Sequence, residues 1–270
     1  MRVSFVGAGQ IGGPMSERLL AAGHDVTVYA RRAEVREHFA AAGATVTDSL
    51  SDAALDADIV MVAVYSDEQL AEVALGHQGL VANMPRESIL ASHTTGSPAT
   101  IKRIAEAGAE HGVHVVDAPF SGGTDQINNG TLTVMLGGAA SDVERIGEVV
   151  RAYADPILPI GELGSALVVK LVNNALFAAN IQLVAQAERV ANELGVDTPT
   201  LASVIQQSSG ASYVMGLVTF MGSTNQLVDA AGHYMRKDID VVRQVADGLG
   251  VDLGVIGQAV DGGPADFTAR

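Results

Sequence analysis

A glycine-rich turn near the amino terminus limits the possible folds of this chain most strongly. Residues 2–6 have the apolar character of a buried strand, and Gly7-Ala8-Gly9-Gln10-Ile11-Gly12 follows before a predicted helix. Between a strand and a helix, this Gly-x-Gly-x-x-Gly spacing is typical of a dinucleotide-binding βαβ unit. Gly7 permits the tight turn, Gly9 leaves room for a pyrophosphate, and Gly12 lets the helix approach the strand. The predicted cofactor-binding residues of this turn are Gly7, Gly9, Gln10, Ile11 and Gly12.

The end of the second predicted strand favours NADP over NAD. An NAD site usually has an Asp or Glu here, which accepts hydrogen bonds from the adenosine ribose. This strand, residues 25–30, ends instead in Arg31-Arg32. Two guanidinium groups suit a 2'-phosphate, which they can bind with paired hydrogen bonds. We therefore expect Arg31 and Arg32 to bind NADP(H); the alternative is an exposed arginine pair at the start of a surface helix.

Strands and helices alternate as far as residue 160. Further strands are predicted at residues 58–64, 88–92, 113–117, 131–137 and 157–160. This alternation predicts an α/β fold with a doubly wound parallel sheet, whose ligands lie at the carboxyl ends of the strands. The loops expected there contain Tyr65, Ser66 and Thr95, which we predict to contact the cofactor, and Ser121, Gly122 and Gly123. The last three can turn backbone N–H groups toward an anion such as a carboxylate.

After residue 160 the pattern becomes entirely helical, which predicts two domains, residues 1–160 and 161–270. The first helix of the second domain is predicted to run from Gly161 to Leu194, and its first half is apolar nearly all round. Lys170 and Asn174 lie one turn apart on it, so both polar groups can reach one ligand. They are a candidate catalytic pair; the alternative is that Lys170 extends to water and Asn174 caps a neighbouring backbone.

Composition restricts the location and the partners. The chain has no cysteine, which excludes disulfides and fits a reducing compartment. Its formal net charge of -15 argues against nucleic acid or an anionic membrane as a partner, since both require a basic face. The amino-terminal apolar run is too short for a signal peptide, and no uncharged stretch is expected to approach the roughly 18 residues of a membrane span. We expect a soluble, cytoplasmic protein without a metal site, since its histidines show no ligand spacing.

Several motifs, in the same order as in the family, resemble those of the β-hydroxyacid dehydrogenases. They are the glycine turn, Thr94-Thr95-Gly96-Ser97-Pro98, Asp117-Ala118-Pro119-Phe120-Ser121-Gly122-Gly123, Gly161 to Asn174, and Lys237-Asp238. The resemblance implies a Rossmann domain joined by a long interdomain helix to an all-helical domain, and homodimers or tetramers that pack through the helical part. It also implies NAD(P)-dependent hydride transfer on a small carboxylate-bearing aldehyde or hydroxyacid.

The resemblance assigns roles to residues of this sequence. Lys170 and Asn174 match the catalytic signature, Ser121, Gly122 and Gly123 match the carboxylate-binding signature, and Lys237 matches a lysine close to the cofactor. Three departures affect the pocket: Phe120 replaces a common valine, Ala166 replaces a common glycine, and the helical region is short. They leave the substrate open.

Two further functions fit the same architecture. Imine reductases share it, but usually have a residue other than lysine at the catalytic position, so Lys170 argues against that activity. A non-catalytic NADP-binding sensor would need Gly9 and Arg31 but not Lys170, Asn174 and Ser121. A decarboxylating 6-phosphogluconate dehydrogenase is longer and needs a basic phosphate pocket that this sequence does not show.

Overall fold

The computed structural model of the chain describes residues 1–267, apart from the side chains of residues 231, 233 and 234. The strands in this part of the chain are β1 (Arg2–Val6), β2 (Asp25–Tyr29), β3 (Thr45–Thr47), β4 (Ile59–Val62), β5 (Ile89–Ser92), β6 (His114–Asp117), β7 (Phe120–Ser121), β8 (Leu132–Gly137) and β9 (Ala154–Gly161). The helices are α1 (Gly12–Ala21), α2 (Ala33–Ala41), α3 (Leu50–Ala54), α4 (Asp67–Leu75), α5 (Leu80–Asn83), α6 (Pro98–His111), α7 (Thr124–Asn129), α8 (Ala140–Val150), α9 (Ser165–Glu193), α10 (Thr198–Ile205), α11 (Tyr213–Met221), α12 (Thr224–Leu249) and α13 (Gly254–Gly262).

The strands form one sheet with a doubly wound order. The order is β3-β2-β1-β4-β5-β6-β8-β7, and β9 pairs with β8. Neighbouring strands from β3 across to β6 are parallel, and helices connect them. The direction of winding therefore reverses between β1 and β4, the position at which such sheets bind ligands. The predicted α/β fold with a Rossmann sheet is confirmed.

The sheet differs from an all-parallel arrangement at β8. This strand runs antiparallel to β6 and β7 and parallel to β9. The reason lies in β7, which follows β6 and pairs antiparallel with β8. Residues 122–131, which include α7, join β7 to β8, and this connection is shorter than the roughly twelve residues that a parallel crossover requires. The short elements β3, β7 and α7 carry weak hydrophobic patterns, and the sequence analysis did not predict them.

The core of the sheet unit surrounds the central parallel strands. All residues of β4 and β5 are buried, as expected for parallel strands covered by helices on both faces. Phe5 and Met61 belong to the hydrophobic cluster on one face. Val62 belongs to the cluster on the other face, which also includes Leu167 from the start of α9. The first turn of the long helix is therefore packed into the core of the sheet unit.

The chain divides into two compact units, residues 1–170 and the residues from Leu171 onward. The described part of the second unit contains helices only, as predicted: the remainder of α9 and α10 to α13. Its main core cluster includes Ile181 of α9, Val218 of α11 and Leu227 of α12. The domain boundary predicted between residues 160 and 161 precedes this division and stays a prediction.

Helix α9 has 29 residues, close to the predicted extent. By length and composition alone it could cross a membrane, with a mean hydropathy of 1.5 over its most apolar window. Residues 171–187 carry no charged side chain, so the expectation that no stretch would approach the length of a membrane span was wrong. Half of that window is buried inside the protein, and one such helix among the described residues is weak evidence for a membrane span.

Candidate active site

The glycine turn, residues 7–12, is shaped by close backbone contacts. Gly7 has a φ of +103°, and a Cβ atom there would lie 2.2 Å from the carbonyl oxygen of Ala63. A Cβ atom at Gly12 would lie 2.2 Å from the carbonyl oxygen of Gly7. By contrast, apart from Gly9 and its two chain neighbours, no atom of the described residues lies within 4 Å of a Cβ built at Gly9. The turn thus has open space at the glycine where a pyrophosphate is expected to approach, and it fits a dinucleotide.

The predicted phosphate-binding arginines follow β2 at the same edge of the sheet. Both side chains are exposed. The carbonyl oxygen of Arg31 accepts a hydrogen bond of 2.9 Å from the guanidinium of Arg36, which holds the backbone of this loop. Arg32 lies 3.6 Å from Glu34, with both side chains 69% exposed. Such an exposed ion pair contributes little to stability, so Arg32 can exchange it for a phosphate.

The loops after β4 and β5 are hydrogen-bonded to each other. The N–H of Val64 donates to the Thr94 hydroxyl at 3.1 Å, and the N–H of Ser97 donates to the Asp67 carboxylate at 3.0 Å. The Thr100 hydroxyl donates to the second oxygen of Asp67. A Cβ atom at Gly96 would collide with that carboxylate at 2.1 Å. Asp67 therefore joins two loops that were predicted separately to contact the cofactor.

The predicted cofactor residues in these two loops differ in exposure. Tyr65 is 44% exposed, and its N–H donates to Gln69 at 3.0 Å. The Ser66 hydroxyl caps α4 by accepting from the N–H of Gln69. Thr95 is partly buried. The Ser66 hydroxyl thus has a structural role, and the backbone of Tyr65 is held by Gln69.

The segment from Ala118 to Gly123 follows β6. It is named the substrate loop here because it contains the three residues predicted to bind the substrate carboxylate. Ser121 lies in β7 opposite Thr133 of β8, and Gly122 has a φ of +126°. The N–H of Gly123 donates to the side-chain oxygen of Gln126 at 2.9 Å. In this structure the Gly123 N–H is therefore engaged, and its predicted carboxylate contact requires Gln126 to move.

Asp117, the last residue of β6, links the substrate loop to the start of α9. Its carboxylate is fully buried and accepts hydrogen bonds from the N–H of Gly164 at 2.7 Å and of Leu167 at 2.8 Å. Burial raises the pKa of Asp117, and the bonds from these N–H groups oppose that shift. The carboxylate caps the helix that carries Lys170, because free N–H groups at a helix start require an acceptor.

Lys170 lies beside the substrate loop. Its Nζ atom is 5.8 Å from the centroid of the Phe120 ring, and the residue is partly buried. A cation at this distance from an aromatic face is attracted by the ring. The structure therefore brings together two features that the sequence analysis singled out separately, the lysine of the long helix and the segment after β6.

Asn174 and Lys237 meet in the helical unit. The amide nitrogen of Asn174 donates to the Asp238 carboxylate at 2.8 Å, and its amide oxygen accepts from Asn173 at 3.3 Å. Lys237 lies 3.7 Å from the same Asp238 carboxylate. Asn174 is buried, with 9% of its surface exposed. Asp238 thus connects two predicted site residues that are far apart in sequence.

Two residues with evident roles were missing from the predicted site. Asp117 carried a signal, because an acidic residue at the end of an apolar strand needs a partner when it is buried. Asp238 also carried one, as the neighbour of Lys237, but its bond to Asn174 joins distant parts of the chain. Local spacing does not reveal such partners.

Comparisons with known proteins identify the family. A family model described as the NAD binding domain of 6-phosphogluconate dehydrogenase matches residues 2–164, and one described as NAD-binding of NADP-dependent 3-hydroxyisobutyrate dehydrogenase matches residues 164–261. The 3-hydroxyisobutyrate dehydrogenase of Pseudomonas aeruginosa is 31% identical over 80% of this chain and 72% of that protein. The chain belongs to the β-hydroxyacid dehydrogenase family.

Two further relatives support this membership in the β-hydroxyacid dehydrogenase family. The NAD-dependent L-serine dehydrogenase of Pseudomonas aeruginosa is 28% identical over 91% of this chain and 85% of that protein. The solved structure of Mycobacterium tuberculosis 3-hydroxyisobutyrate dehydrogenase with L-serine superposes with a TM-score of 0.86 at 25% identity, covering 96% of this chain and 91% of that one. The predicted enzyme class is confirmed: this member of the β-hydroxyacid dehydrogenase family is an NAD(P)-dependent dehydrogenase.

Proposed function

We propose that the protein catalyses NADP-dependent hydride transfer between the nicotinamide and a small aldehyde or hydroxyacid that carries a carboxylate. Lys170 is the general acid and base of this reaction. The observation that carries the proposal is the distance of 5.8 Å between the Lys170 amine and the Phe120 ring of the substrate loop. An amine at this distance from the loop is near enough to act on a substrate held there.

The proton transfers follow from the chemistry of the amine. In the reducing direction, the bound dinucleotide supplies a hydride to the carbonyl carbon. Lys170 in its ammonium form donates a proton to the carbonyl oxygen, which becomes a hydroxyl, and the side chain is left as a neutral amine. In the oxidising direction the neutral amine accepts the hydroxyl proton.

The substrate loop is proposed to hold the carboxylate. The Ser121 hydroxyl and the N–H of Gly122 are the first donors, and the N–H of Gly123 joins them when Gln126 releases it. Asn174 orients the reacting oxygen. Its amide is held by Asp238, which reduces the entropy lost when a substrate is positioned.

NADP is proposed as the cofactor, in preference to NAD. Support comes from the exposed arginine pair after β2, Arg31 and Arg32, where an NAD site would have an acid. The open space at Gly9 supports a pyrophosphate contact, and Lys237 is proposed to lie close to the bound cofactor. One relative is named NAD-dependent and one matching family model is named NADP-dependent, so the preference must be measured for this chain.

We also propose a cytoplasmic homodimer or tetramer that packs through the helical unit, without a nucleic-acid or membrane partner. A row of apolar side chains on the outer face of α9 supports this assembly. They are between 42% and 79% exposed: Val172, Leu176, Leu183 and Val190 in α9, and Leu194 directly after it. Such a contiguous row typically marks an interface. Leu183→Glu should yield a monomer in light scattering, and a wild-type chain that is monomeric at all concentrations would contradict the assembly.

The proposed reaction is tested by following NADPH consumption. The substrates are glyoxylate, succinic semialdehyde, tartronate semialdehyde, methylmalonate semialdehyde and several cyclic imines. We expect turnover of at least one of the aldehyde acids. Lys170→Ala should lower this turnover about 1,000-fold or more while NADPH binding is kept, because it removes the proton donor.

Lys102→Ala, at an exposed lysine of α6, is the matched control and should retain turnover. Near-wild-type turnover in Lys170→Ala would remove the lysine from its role. Reduction of imines alone would support an imine reductase. NADPH binding without turnover of any compound would support a sensor.

A further inference from the structure

A buried histidine lies directly behind the substrate loop. His93 follows β5 and is 1% exposed. Its Nδ1 atom is 2.5 Å from the carbonyl oxygen of Ala118, and its Nε2 atom is 2.8 Å from the hydroxyl of Tyr153. A carbonyl oxygen can only accept, so Nδ1 carries the proton and Nε2 accepts from the tyrosine. Both ring nitrogens are satisfied, and the orientation of the ring is fixed.

The surroundings keep this histidine neutral. Burial lowers the pKa of His93 to about 4, because a charged imidazolium is poorly solvated inside a protein. Tyr153, its partner, is fully buried and belongs to the core cluster on that face of the sheet. Its ring contacts that of His93 edge to face, with centroids 5.8 Å apart. The pair is therefore a rigid part of the core.

The Phe120 ring lies close to both this pair and the proposed catalytic amine. The centroids of the Phe120 and His93 rings are 6.0 Å apart, with an interplanar angle of 77°. The Lys170 amine lies 5.8 Å from the Phe120 centroid. Because His93 is held by two hydrogen bonds, it resists displacement by the Phe120 ring that packs against it. A group on the substrate that extends toward Phe120 must therefore displace a supported ring.

We propose that Phe120 limits the size of the substituent next to the reacting carbon, and that Tyr153 and His93 position Phe120 for this role. The proposal rests on the proposed function, because it concerns the substrate of that reaction. It names the substrate class more narrowly: carboxylic acids whose carbon between the carboxylate and the reacting group is unbranched. Phe120 is the specificity-determining residue, and His93 and Tyr153 are positioning residues.

The test uses a homologous series of stable hydroxyacids. 3-Hydroxypropionate and its 2-methyl and 2-ethyl derivatives differ only in the group on the carbon beside the carboxylate. We expect wild-type kcat/KM with NADP to fall about tenfold or more for each added carbon, which is a common magnitude for a closed pocket. Phe120→Val should raise kcat/KM for the 2-ethyl acid relative to 3-hydroxypropionate at least about tenfold. An unchanged ratio would overturn the proposal.

The positioning pair is tested with two variants. Tyr153→Phe removes the hydroxyl bound to Nε2, and His93→Asn keeps a donor for Ala118 but removes the supporting ring. Both should change the ratio of KM values in the series more than kcat on 3-hydroxypropionate. A merely structural role would lower the melting temperature and leave that ratio unchanged, and this result would refute the positioning role. Tyr213→Phe, at a tyrosine that is 70% exposed, is the matched control.

A binding measurement separates this proposal from the proposed function. Calorimetry with the same acids and NADPH-loaded protein reports size selectivity without turnover. If the wild type turns over neither these hydroxyacids nor any of the aldehyde acids tested above, the proposed function fails. The size limit stands in that case if Phe120→Val binds the 2-ethyl acid more tightly relative to 3-hydroxypropionate than the wild type does. Equal binding ratios in both proteins, or binding in neither, would overturn the size limit.

Discussion

The glycine turn after β1 and the substrate loop after β6 leave the same edge of the sheet, but different contacts shape them. The glycine turn is defined by backbone atoms: side chains at Gly7 and Gly12 would collide with carbonyl oxygens, while Gly9 faces open space. The substrate loop is defined by side chains behind it. Asp117 ties its first end to α9, and His93 holds the carbonyl of Ala118.

This difference explains how each site can change. A turn defined by backbone contacts tolerates no side chain at its contact points. Substitutions at those glycines are therefore expected to disrupt the turn rather than change what it binds. In a loop supported by side chains, a substitution within the loop can change the shape of the pocket while the supporting residues, here Asp117 and His93, stay the same. We accordingly expect the cofactor-binding turn to tolerate few substitutions, and the substrate specificity to change more readily by substitution in the substrate loop. Four predictions test this comparison, from the largest expected effect to the smallest.

The largest effect is expected within the glycine turn. Gly12→Ala would place a Cβ atom 2.2 Å from the Gly7 oxygen and 2.6 Å from the Phe5 ring, so unfolding free energy should fall by about 3 kcal/mol or more. Gly9→Ala should change it by less than about 0.5 kcal/mol, yet weaken NADPH binding at least about tenfold. Thermal denaturation measures the change in stability of each variant, and NADPH titration measures the change in affinity. Equal destabilisation of the two variants would break the comparison.

The second effect is a pH dependence of stability caused by His93. Its pKa is about 4 in the folded protein and about 6.5 in the unfolded chain. The unfolded chain therefore binds the proton first, and stability falls as the pH decreases from about 6.5 through 4, by roughly 3 kcal/mol. Urea denaturation of the wild type and of His93→Asn over this range isolates the effect, since other groups contribute equally to both. Parallel profiles would mean that the histidine is not held neutral.

The third effect concerns the support of the substrate loop at Asp117. In Asp117→Asn the amide offers one acceptor, so one of the N–H groups of Gly164 and Leu167 loses its partner. We expect a loss of about 2 kcal/mol in unfolding free energy and lower turnover, because the helix that carries Lys170 begins there. Asp125→Asn, at an exposed residue of α7, should change neither. Full activity and stability in Asp117→Asn would show that the substrate loop, like the glycine turn, does not depend on side-chain support at Asp117.

The smallest effect sharpens the cofactor side of the comparison. Arg31→Ala should weaken NADPH binding about tenfold, equivalent to about 1.4 kcal/mol, and weaken NADH binding much less, because only NADPH carries the 2'-phosphate. Dissociation constants from fluorescence titration provide the measure. Arg103→Ala, at an exposed arginine of α6, is the control. Equal losses for both dinucleotides would show that Arg31 does not contact the phosphate.

The sequence predicted the sheet because its signals are local. Apolar runs between helical segments gave β1, β2, β4, β5 and β6, with ends within a few residues of those observed, whereas the three-residue strand β3 was not predicted. The glycine turn was recognisable because tight backbone contacts require glycine at set positions. The strand β8 was predicted but its antiparallel direction was not, since pairing direction depends on the connection between strands rather than on the strand itself.

The candidate site was predicted in part for the same reason. Lys170 stood out as a cation in an apolar helix, and Ser121 as a polar residue after a strand. The supports of these residues, Asp117 and His93, act on partners distant in sequence. The sequence does not distinguish a buried histidine from an exposed one. Only the structure shows which groups His93 is hydrogen-bonded to.

The carboxylate of Asp117 ends one strand and begins the helix of the proposed proton donor. Residues 118–123 could therefore be exchanged for those of another enzyme. If Asp117 is retained, the start of the helix that carries the Lys170 amine should keep its position. Residues 118–123 can therefore be varied to seek new substrates, while Asp117 keeps the start of α9 in place.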